Sequence, residues 1–198
     1  VKRFNQAVQT GASFIVANGN WTELEPSDGK YKLDSLNYLI SVSKQLPVSY
    51  TLRIIDTVGR NVPSNLRRTR WNDRKMRSRL FKLIDAMTPL MKGHVRWLML
   101  GYEINEYMNR NPREAKEFIE LYRATAAYVR NRVPGIQVSS TLMFSGIDQL
   151  DGRLAGLKQD LDFIALTYSP LKGDFSVMNP SVVPGDFQKM KRVAGGRK

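Results

Sequence analysis

The chain has 198 residues, 42% hydrophobic and 25% charged, a balance that suits one folded domain with a sizeable core and excludes bulk disorder. It contains no cysteine and one histidine, His94, so disulfides, thiolate metal sites and multi-histidine metal centres are excluded, and we expect no metal. The net charge of +13 is unusual and concentrates between Arg53 and Arg79, where nine Lys or Arg accompany two Asp.

The hydrophobic pattern alternates between helical and strand spacing along the whole chain. The predicted elements are, in order, a helix over 1–10, a strand over 13–17, a helix from about Asp34, a strand over 48–56, a helix from about Asp73, a strand over 95–100, a helix from Asn111, a strand over 136–144, a weaker helix over 150–161 and a strand over 162–168. Residues 180–198 form a basic tail in which a further helix can begin. Such strict alternation predicts a parallel sheet covered by helices.

Two α/β architectures fit this order: a doubly wound sheet and part of an eight-stranded barrel. The junctions between strands and helices carry no Gly-rich phosphate loop, which argues against a nucleotide-binding doubly wound fold and against a cofactor. No repeat or low-complexity linker marks a second domain, so residues 1–198 are predicted to form a single domain. No apolar run approaches the roughly 20 residues that span a bilayer, and we expect no membrane partner.

Polar and aromatic side chains cluster where the predicted strands end, which is where both architectures place function. These residues are Trp21, Glu23, Glu25, Arg53, Asp56, Glu103, Asn105, Phe144, Ser145 and Tyr168. The set contains no nucleophilic Cys and no Ser–His pair. Aromatic rings can stack on sugar faces while polar groups contact hydroxyls, so this mixture favours a neutral polyhydroxylated ligand.

Several segments resemble the clan A glycoside hydrolases, barrel enzymes that include the endo-galactanases. W-T-E-L-E-P-S-D-G-K-Y is similar to the clan's W-x-x-L-E-P-x-x-G-x-Y segment, and L-G-Y-E-I-N resembles its L-G-N-E-V-D. L-R-I-I-D-T, S-S-T-L-M-F and D-F-I-A-L-T-Y-S-P-L stand where further strand ends belong. The resemblance covers nearly the whole chain as barrel strands two to six. It implies a partial (β/α)8 barrel, a carbohydrate substrate and a secreted or periplasmic protein, although no targeting segment is visible.

The resemblance assigns Glu103 as the acid/base catalyst. The mechanism it implies is retaining hydrolysis, in which two carboxyl groups lie about 5–5.5 Å apart. The expected substrate-binding residues are Trp21, Arg53, Tyr102, Asn105 and Tyr168. A structural role stays open for three of them: Trp21 as a packed loop residue, Arg53 as part of an ion pair and Tyr168 as an ordinary strand-end aromatic. Glu25, before Pro26, is interpreted as a structural loop anchor rather than a catalyst.

The chain departs from the clan pattern in two places. The clan has Asn directly before the acid/base, whereas this chain has Tyr102. The clan's nucleophile is a Glu on barrel strand seven, and no Glu follows Glu120 here. We therefore expect the 198 residues by themselves to be inactive, with barrel strands one, seven and eight outside them.

Three interpretations remain open from the sequence. The first is a glycosidase core, and the second is a non-catalytic carbohydrate-binding or scaffold protein. The third is a nucleic-acid-associated protein that uses the basic segments; it is disfavoured because no recognisable nucleic-acid motif accompanies the charge, which a solvated surface explains. A partial barrel also leaves open sheet edges, which favour self-association or a partner chain.

Overall fold

The structure, a computed structural model, describes residues 6, 8–43 and 46–195. Its strands are β1 (Ile15–Asn20), β2 (Val48–Asp56), β3 (Gly59–Arg60), β4 (Val95–Tyr102), β5 (Gln137–Ser139), β6 (Thr141–Met143) and β7 (Ala165–Thr167). Its helices are α1 (Trp21–Leu24), α2 (Asp34–Val42), α3 (Arg74–Met91), α4 (Ile104–Arg110), α5 (Ala115–Arg132), α6 (Ala155–Lys158) and α7 (Val183–Ala194). Single 3₁₀ turns lie at Ser64–Leu66, Pro112–Glu114 and Pro180–Val182, and a longer 3₁₀ segment, kinked at Gly146, spans Phe144–Asp151.

The strands pair in chain order. β1, β2, β4 and β5 form one parallel sheet, β3 folds back antiparallel on the end of β2, and β6 pairs in parallel with β7. Helices separate successive parallel strands, so the chain is a partial (β/α) barrel, as the sequence predicted. The carboxyl ends of the strands consequently share one edge.

The core lies between the sheet and the helices α3 and α5. β2 is buried along nearly its whole length, as expected for a parallel strand covered on both faces. α3 begins where the sequence predicted, because the Asp73 carboxylate accepts a hydrogen bond from the Lys75 backbone N–H. Its buried face repeats every three to four residues and includes Met76, Leu80 and Met87.

The prediction of one strand over 136–144 is wrong, because the strand is broken at Ser140 into β5 and β6. The Ser140 hydroxyl donates to the carbonyl of Leu100 at 2.7 Å, and the Ser139 hydroxyl donates to the carbonyl of Phe163 at 2.6 Å. Side chains thus replace ladder hydrogen bonds at this point. After this break, β6 pairs with β7 in a separate two-stranded sheet.

Other element boundaries also differ from the predictions. The helix predicted over 1–10 lies largely outside the described residues, and the helix predicted over 150–161 is reduced to the four residues of α6. The helix predicted from Asn111 corresponds to the 3₁₀ turn Pro112–Glu114 followed by α5, whereas α4, which begins directly after Glu103, was not predicted. The predicted basic tail contains α7, which ends at Gly195 in a left-handed conformation. No helix of the described residues is long and apolar enough to cross a membrane.

Candidate functional site

The end of β4 turns sharply to present Glu103. Gly101 has a φ of +86°, and a Cβ there would lie 2.5 Å from the Ile104 side chain, so glycine is required. Glu103 is itself left-handed (φ 50°, ψ 44°) and stands directly before α4. The turn lifts this one carboxylate out of the buried strand at the shared edge of the sheet.

The Glu103 carboxylate is fixed by two threonine hydroxyls. Thr57 Oγ1 donates to Oε2 at 2.8 Å, and Thr167 Oγ1 donates to Oε1 at 2.6 Å. These threonines come from the ends of β2 and β7, on either side of β4 in chain order. Only 8% of Glu103 is exposed. Because a hydroxyl can either donate or accept, both partners can stay bonded when the carboxyl gains or loses a proton.

A cleft of about 650 Å³ opens beside Glu103. It is lined by Met143, Phe144, Ser145, Thr167, Tyr168, Ser169, Pro170, Leu171, Lys172, Gly173, Phe175, Met178 and Asp186. The Phe144 and Tyr168 rings meet edge to face with centroids 5.3 Å apart. Phe175 is 83% exposed, so one face of its ring is free for a ligand. Apolar walls around a few polar groups are typical of small-molecule sites.

Tyr168 connects the cleft to helix α7. Its hydroxyl donates to Asp186 Oδ2 at 2.7 Å, and its ring lies edge-on to Phe187 at 5.8 Å. Burial and this hydrogen bond raise the pKa of Tyr168, which keeps the phenol protonated and able to donate. Asp186 is therefore a second carboxylate that lines the cleft with Glu103.

Arg53 and Tyr102 lie together at the ends of β2 and β4. The Arg53 guanidinium stacks 4.5 Å from the centre of the Tyr102 ring and lies 3.5 Å from Asp56. Its Nε is buried and has no hydrogen-bond partner among the described residues. Burial raises the pKa of Tyr102, and the negative charge of Glu103 raises it further. Tyr102 thus lies next to the Glu103 carboxylate and can donate to an oxygen bound there.

The interpretation of Trp21 as a sugar platform is wrong, because its side chain is fully buried. Its indole Nε1 donates to Glu25 at 2.8 Å, and Glu25 is also fully buried. The Arg79 guanidinium Nη2 lies 2.8 Å from the same carboxylate, and the Gly29 backbone N–H donates to it. The W-T-E-L-E-P segment therefore anchors its loop onto α3.

Asn105 is also buried, with 1% of its surface exposed, and offers nothing to a ligand. Its amide donates to the carbonyl of Met143 at 3.0 Å and accepts from the Met143 backbone N–H at 2.8 Å. This pair of bonds fastens α4 to β6 and replaces part of a strand ladder. The substrate-binding role expected for Asn105 is corrected to a structural one.

Sequence reasoning missed four residues of the site: Thr57, Thr167, Phe175 and Asp186. Thr57 and Thr167 lie in the strand-end segments L-R-I-I-D-T and D-F-I-A-L-T-Y, so their position at the strand ends was predictable. Their hydrogen bonds to Glu103 were not, because these bonds depend on three strands that are distant in sequence. Phe175 and Asp186 lie after the last strand, where no periodicity connects them to the cleft.

Neither a protein-family model nor a curated protein matches the chain. Solved structures do match. A beta-glucosidase (1317) has a TM-score of 0.69 and 14% identity, with 98% of this chain and 64% of that chain covered. The AHE enzyme from Alicyclobacillus herbarius has a TM-score of 0.70 and 9% identity, covering 99% and 64%. A GH5_18 enzyme from Streptomyces cattleya, solved in complex with Manb1-4GlcNAc, has a TM-score of 0.69 and 11% identity, covering 85% and 46%.

The chain spans less than two thirds of each of these three structures. At such low identities the likeness concerns the fold. The matched region runs over nearly all of this chain in the first two cases. The chain therefore has the fold of part of a (β/α)8 barrel, as seen in these glycoside hydrolase structures.

Proposed function

We propose that this chain is a glycoside hydrolase-like domain that binds a β-linked oligosaccharide or polysaccharide in the cleft beside Glu103. The observation that carries the proposal is a single buried glutamate, held through both oxygens, at the foot of an aromatic cleft on the strand-end face. The similar structures include a beta-glucosidase and an enzyme in complex with Manb1-4GlcNAc, which supports a β-linked ligand.

In this proposal Glu103 is the acid/base. It donates a proton to the glycosidic oxygen as the bond to the leaving sugar breaks, and later removes a proton from the attacking water. The hydroxyls of Thr57 and Thr167 keep the carboxyl group in one orientation through both steps, since each can reverse its hydrogen bond. Retention further requires a carboxylate nucleophile on the opposite side of the sugar.

The aromatic and cationic groups around Glu103 bind the sugar in this proposal. In this proposal the exposed ring of Phe175 stacks on a sugar face, and Tyr168 lines the same cleft. The Arg53 side chain is 25% exposed and stacks on Tyr102, so the accessible part of its guanidinium can donate a hydrogen bond to a sugar hydroxyl. Tyr102, in the position where the clan has Asn, can replace the amide donor with its phenol hydroxyl.

Binding of β-1,4-linked manno- and cello-oligosaccharides, measured by calorimetry, tests the proposal. Replacement of Phe175 by Ala should weaken binding by roughly two- to tenfold without loss of stability, since the ring is mostly in solvent. Tyr38→Ala is the matched control, because Tyr38 is 66% exposed on α2, outside the residues that line the cleft. Equal effects of the two changes, or no binding of either sugar, would contradict the proposal.

Hydrolysis of aryl β-glycosides and β-galactans tests the chemical role. Residues 1–198 by themselves are expected to release no sugar above background, because the clan's nucleophilic Glu has no counterpart after Glu120. Turnover that disappears in Glu103→Gln would establish the acid/base but would show that a second carboxylate acts within these residues. Asp186, which lines the same cleft, would then be the first to replace.

A non-catalytic carbohydrate-binding or scaffold protein is the second candidate. It is favoured by Tyr102 in place of the clan's Asn, since loss of that amide weakens contact with the sugar hydroxyl next to the reacting carbon. For this candidate, sugar binding should survive in Glu103→Gln unchanged. For the acid/base candidate, the same change should alter the pH dependence of binding or turnover.

A further inference from the structure

Four exposed arginines lie beside the site without a carboxylate partner. They are Arg67, Arg68, Arg110 and Arg113, here called the arginine rim. In the part of the chain that the structure describes, none of them forms an ion pair within 4.0 Å. Unpaired cations on a protein with a net charge of +13 create a positive surface that attracts anions.

The two loops that carry the rim are held together by Arg60, whose side chain is mostly buried. Its guanidinium donates to the backbone carbonyls of Arg67 and Thr69 and pairs with Glu114 at 2.7 Å. The loop that carries Arg67 is thereby held against the start of α5, next to Arg113. The two halves of the rim come from distant parts of the sequence and are brought together by this anchor.

Two acidic residues next to the rim, Glu114 and Glu117, are already engaged. Glu114 Oε2 accepts hydrogen bonds from Arg60, Trp71 and Tyr107, each at 2.7 Å. Burial opposes ionisation of Glu114, but these donors hold its pKa below the ordinary value, so it stays charged and occupied. Glu117 pairs with Arg70. The remaining neighbour is Glu106, one turn before Arg110, and a single carboxylate cannot neutralise four guanidinium groups.

The rim lies close to Glu103 along helix α4. That helix starts directly after Glu103 and ends at Arg110, so about 10 Å separates the two backbones at 1.5 Å per residue. Tyr107, between them, accepts a hydrogen bond from Arg60 Nε. The rim lies outside the residues that line the cleft, but an oligosaccharide seated at Glu103 is long enough to span this distance.

We propose that the substrate is an acidic glycan, whose carboxylate or sulfate groups bind the arginine rim while its chain continues into the Glu103 cleft. This inference rests on the proposed function and names its substrate class. Guanidinium groups suit such anions because they offer paired donors to two oxygens.

A nucleic acid is the other polyanion that a basic surface can attract. Single strands are usually held by stacking of bases on exposed aromatic rings. The aromatic residues of segments 60–77 and 104–117 are Trp71 and Tyr107, and both are buried. The exposed aromatic ring of the site, Phe175, lines the cleft instead. The surface therefore favours an acidic glycan, and an oligonucleotide becomes an outcome of the test.

The test compares two hexasaccharides with the same β-1,4-glucan backbone, cellohexaose and its C6-carboxylated form, by calorimetry at 50 and 200 mM salt. The acidic sugar should bind at least tenfold tighter at low salt, and the advantage should shrink at high salt. Arg67→Gln/Arg110→Gln should reduce that advantage by roughly three- to tenfold, in line with the modest strength of exposed ion pairs. Lys92→Gln/Arg96→Gln, equal in charge but at the opposite end of α3 and β4, should leave it unchanged.

Three outcomes overturn the inference: equal affinity for the two sugars, an equal loss in the control variant, or equally tight, rim-dependent binding of a single-stranded hexanucleotide. If Phe175→Ala leaves the affinity for the acidic hexasaccharide unchanged, the glycan does not continue into the cleft and the inference again fails. Cellohexaose binding that still depends on Phe175 would leave the proposed function standing in each of these cases. If cellohexaose binding does not depend on Phe175 either, both the inference and the proposed function are contradicted.

Discussion

The buried ion pair between Arg79 and Glu25 permits a quantitative prediction. Arg79 is 6% exposed and Glu25 is fully buried, with the Arg79 Nη2 and Nε lying 2.8 and 3.1 Å from Glu25 Oε1. In Arg79→Met the glutamate loses its charged partner but stays in the core. Removing one member of a buried pair typically costs about 3–5 kcal/mol of unfolding free energy.

The contacts that remain place the loss near the lower end of that range. Glu25 keeps two neutral donors, the Trp21 indole and the Gly29 backbone N–H. The second acidic partner of Arg79, Asp28, is 66% exposed, and its ion pair contributes little. We therefore expect a loss of about 3 kcal/mol, which lowers Tm by roughly 6–12 °C in a chain of this length.

Thermal and urea unfolding followed by circular dichroism measures this loss. Arg132→Met is the control, because the Arg132 pair with Asp85 is about half exposed and should cost less than about 1 kcal/mol. Glu25→Leu/Arg79→Met should recover part of the loss, since no buried charge is left unpaired. A loss in Arg79→Met no larger than in Arg132→Met would refute the anchoring role assigned to this segment.

Two further predictions concern the backbone and the alkaline limit of stability. Gly101→Ala should cost at least twice as much unfolding free energy as Gly93→Ala. Both glycines have positive φ, but of the two only Gly101 has a neighbour within 4 Å of an added Cβ. Equal losses measured by urea unfolding would contradict this. Burial and the charge of Glu23 raise the pKa of Tyr50 to about 12. The neutral phenol therefore stabilises the fold below about pH 10, and this contribution is lost as the pH rises from about 10 to 12. Tyr50→Phe should remove on the order of 2–3 kcal/mol of that pH dependence, and an unchanged slope would exclude Tyr50 as its source.

The sequence predicted a parallel sheet covered by helices because the signal is repeated along the chain, whereas the choice of a barrel over a doubly wound sheet came from the resemblance to clan A glycoside hydrolases. Parallel strands covered on both faces need continuous apolar runs, and β2 shows such a run. The helices between them repeat their apolar residues every three to four positions, as in α3. The break at Ser140 could not be predicted, because the two carbonyls that its region binds, those of Leu100 in β4 and of Phe163 before β7, are distant in sequence.

The site residues were harder to predict because burial decides between a ligand contact and a structural one. Trp21 and Glu25 stand four residues apart around a short helical turn, a spacing that brings their side chains together. That spacing was a usable signal for a structural pair. Asn105 carried no such signal, since its partner Met143 is 38 residues away.

Backbone strain supplies an independent argument that this face is the functional one. Among the described residues, three other than glycine have positive φ: Thr57, Glu103 and Phe175. Such conformations cost roughly 1–3 kcal/mol each and persist only where the surrounding structure enforces them. Two of the three line the cleft, and the third donates a hydrogen bond to Glu103. Because a β-branched residue such as Thr57 is especially disfavoured at positive φ, its presence here indicates that the hydroxyl's aim at Glu103 outweighs the local cost.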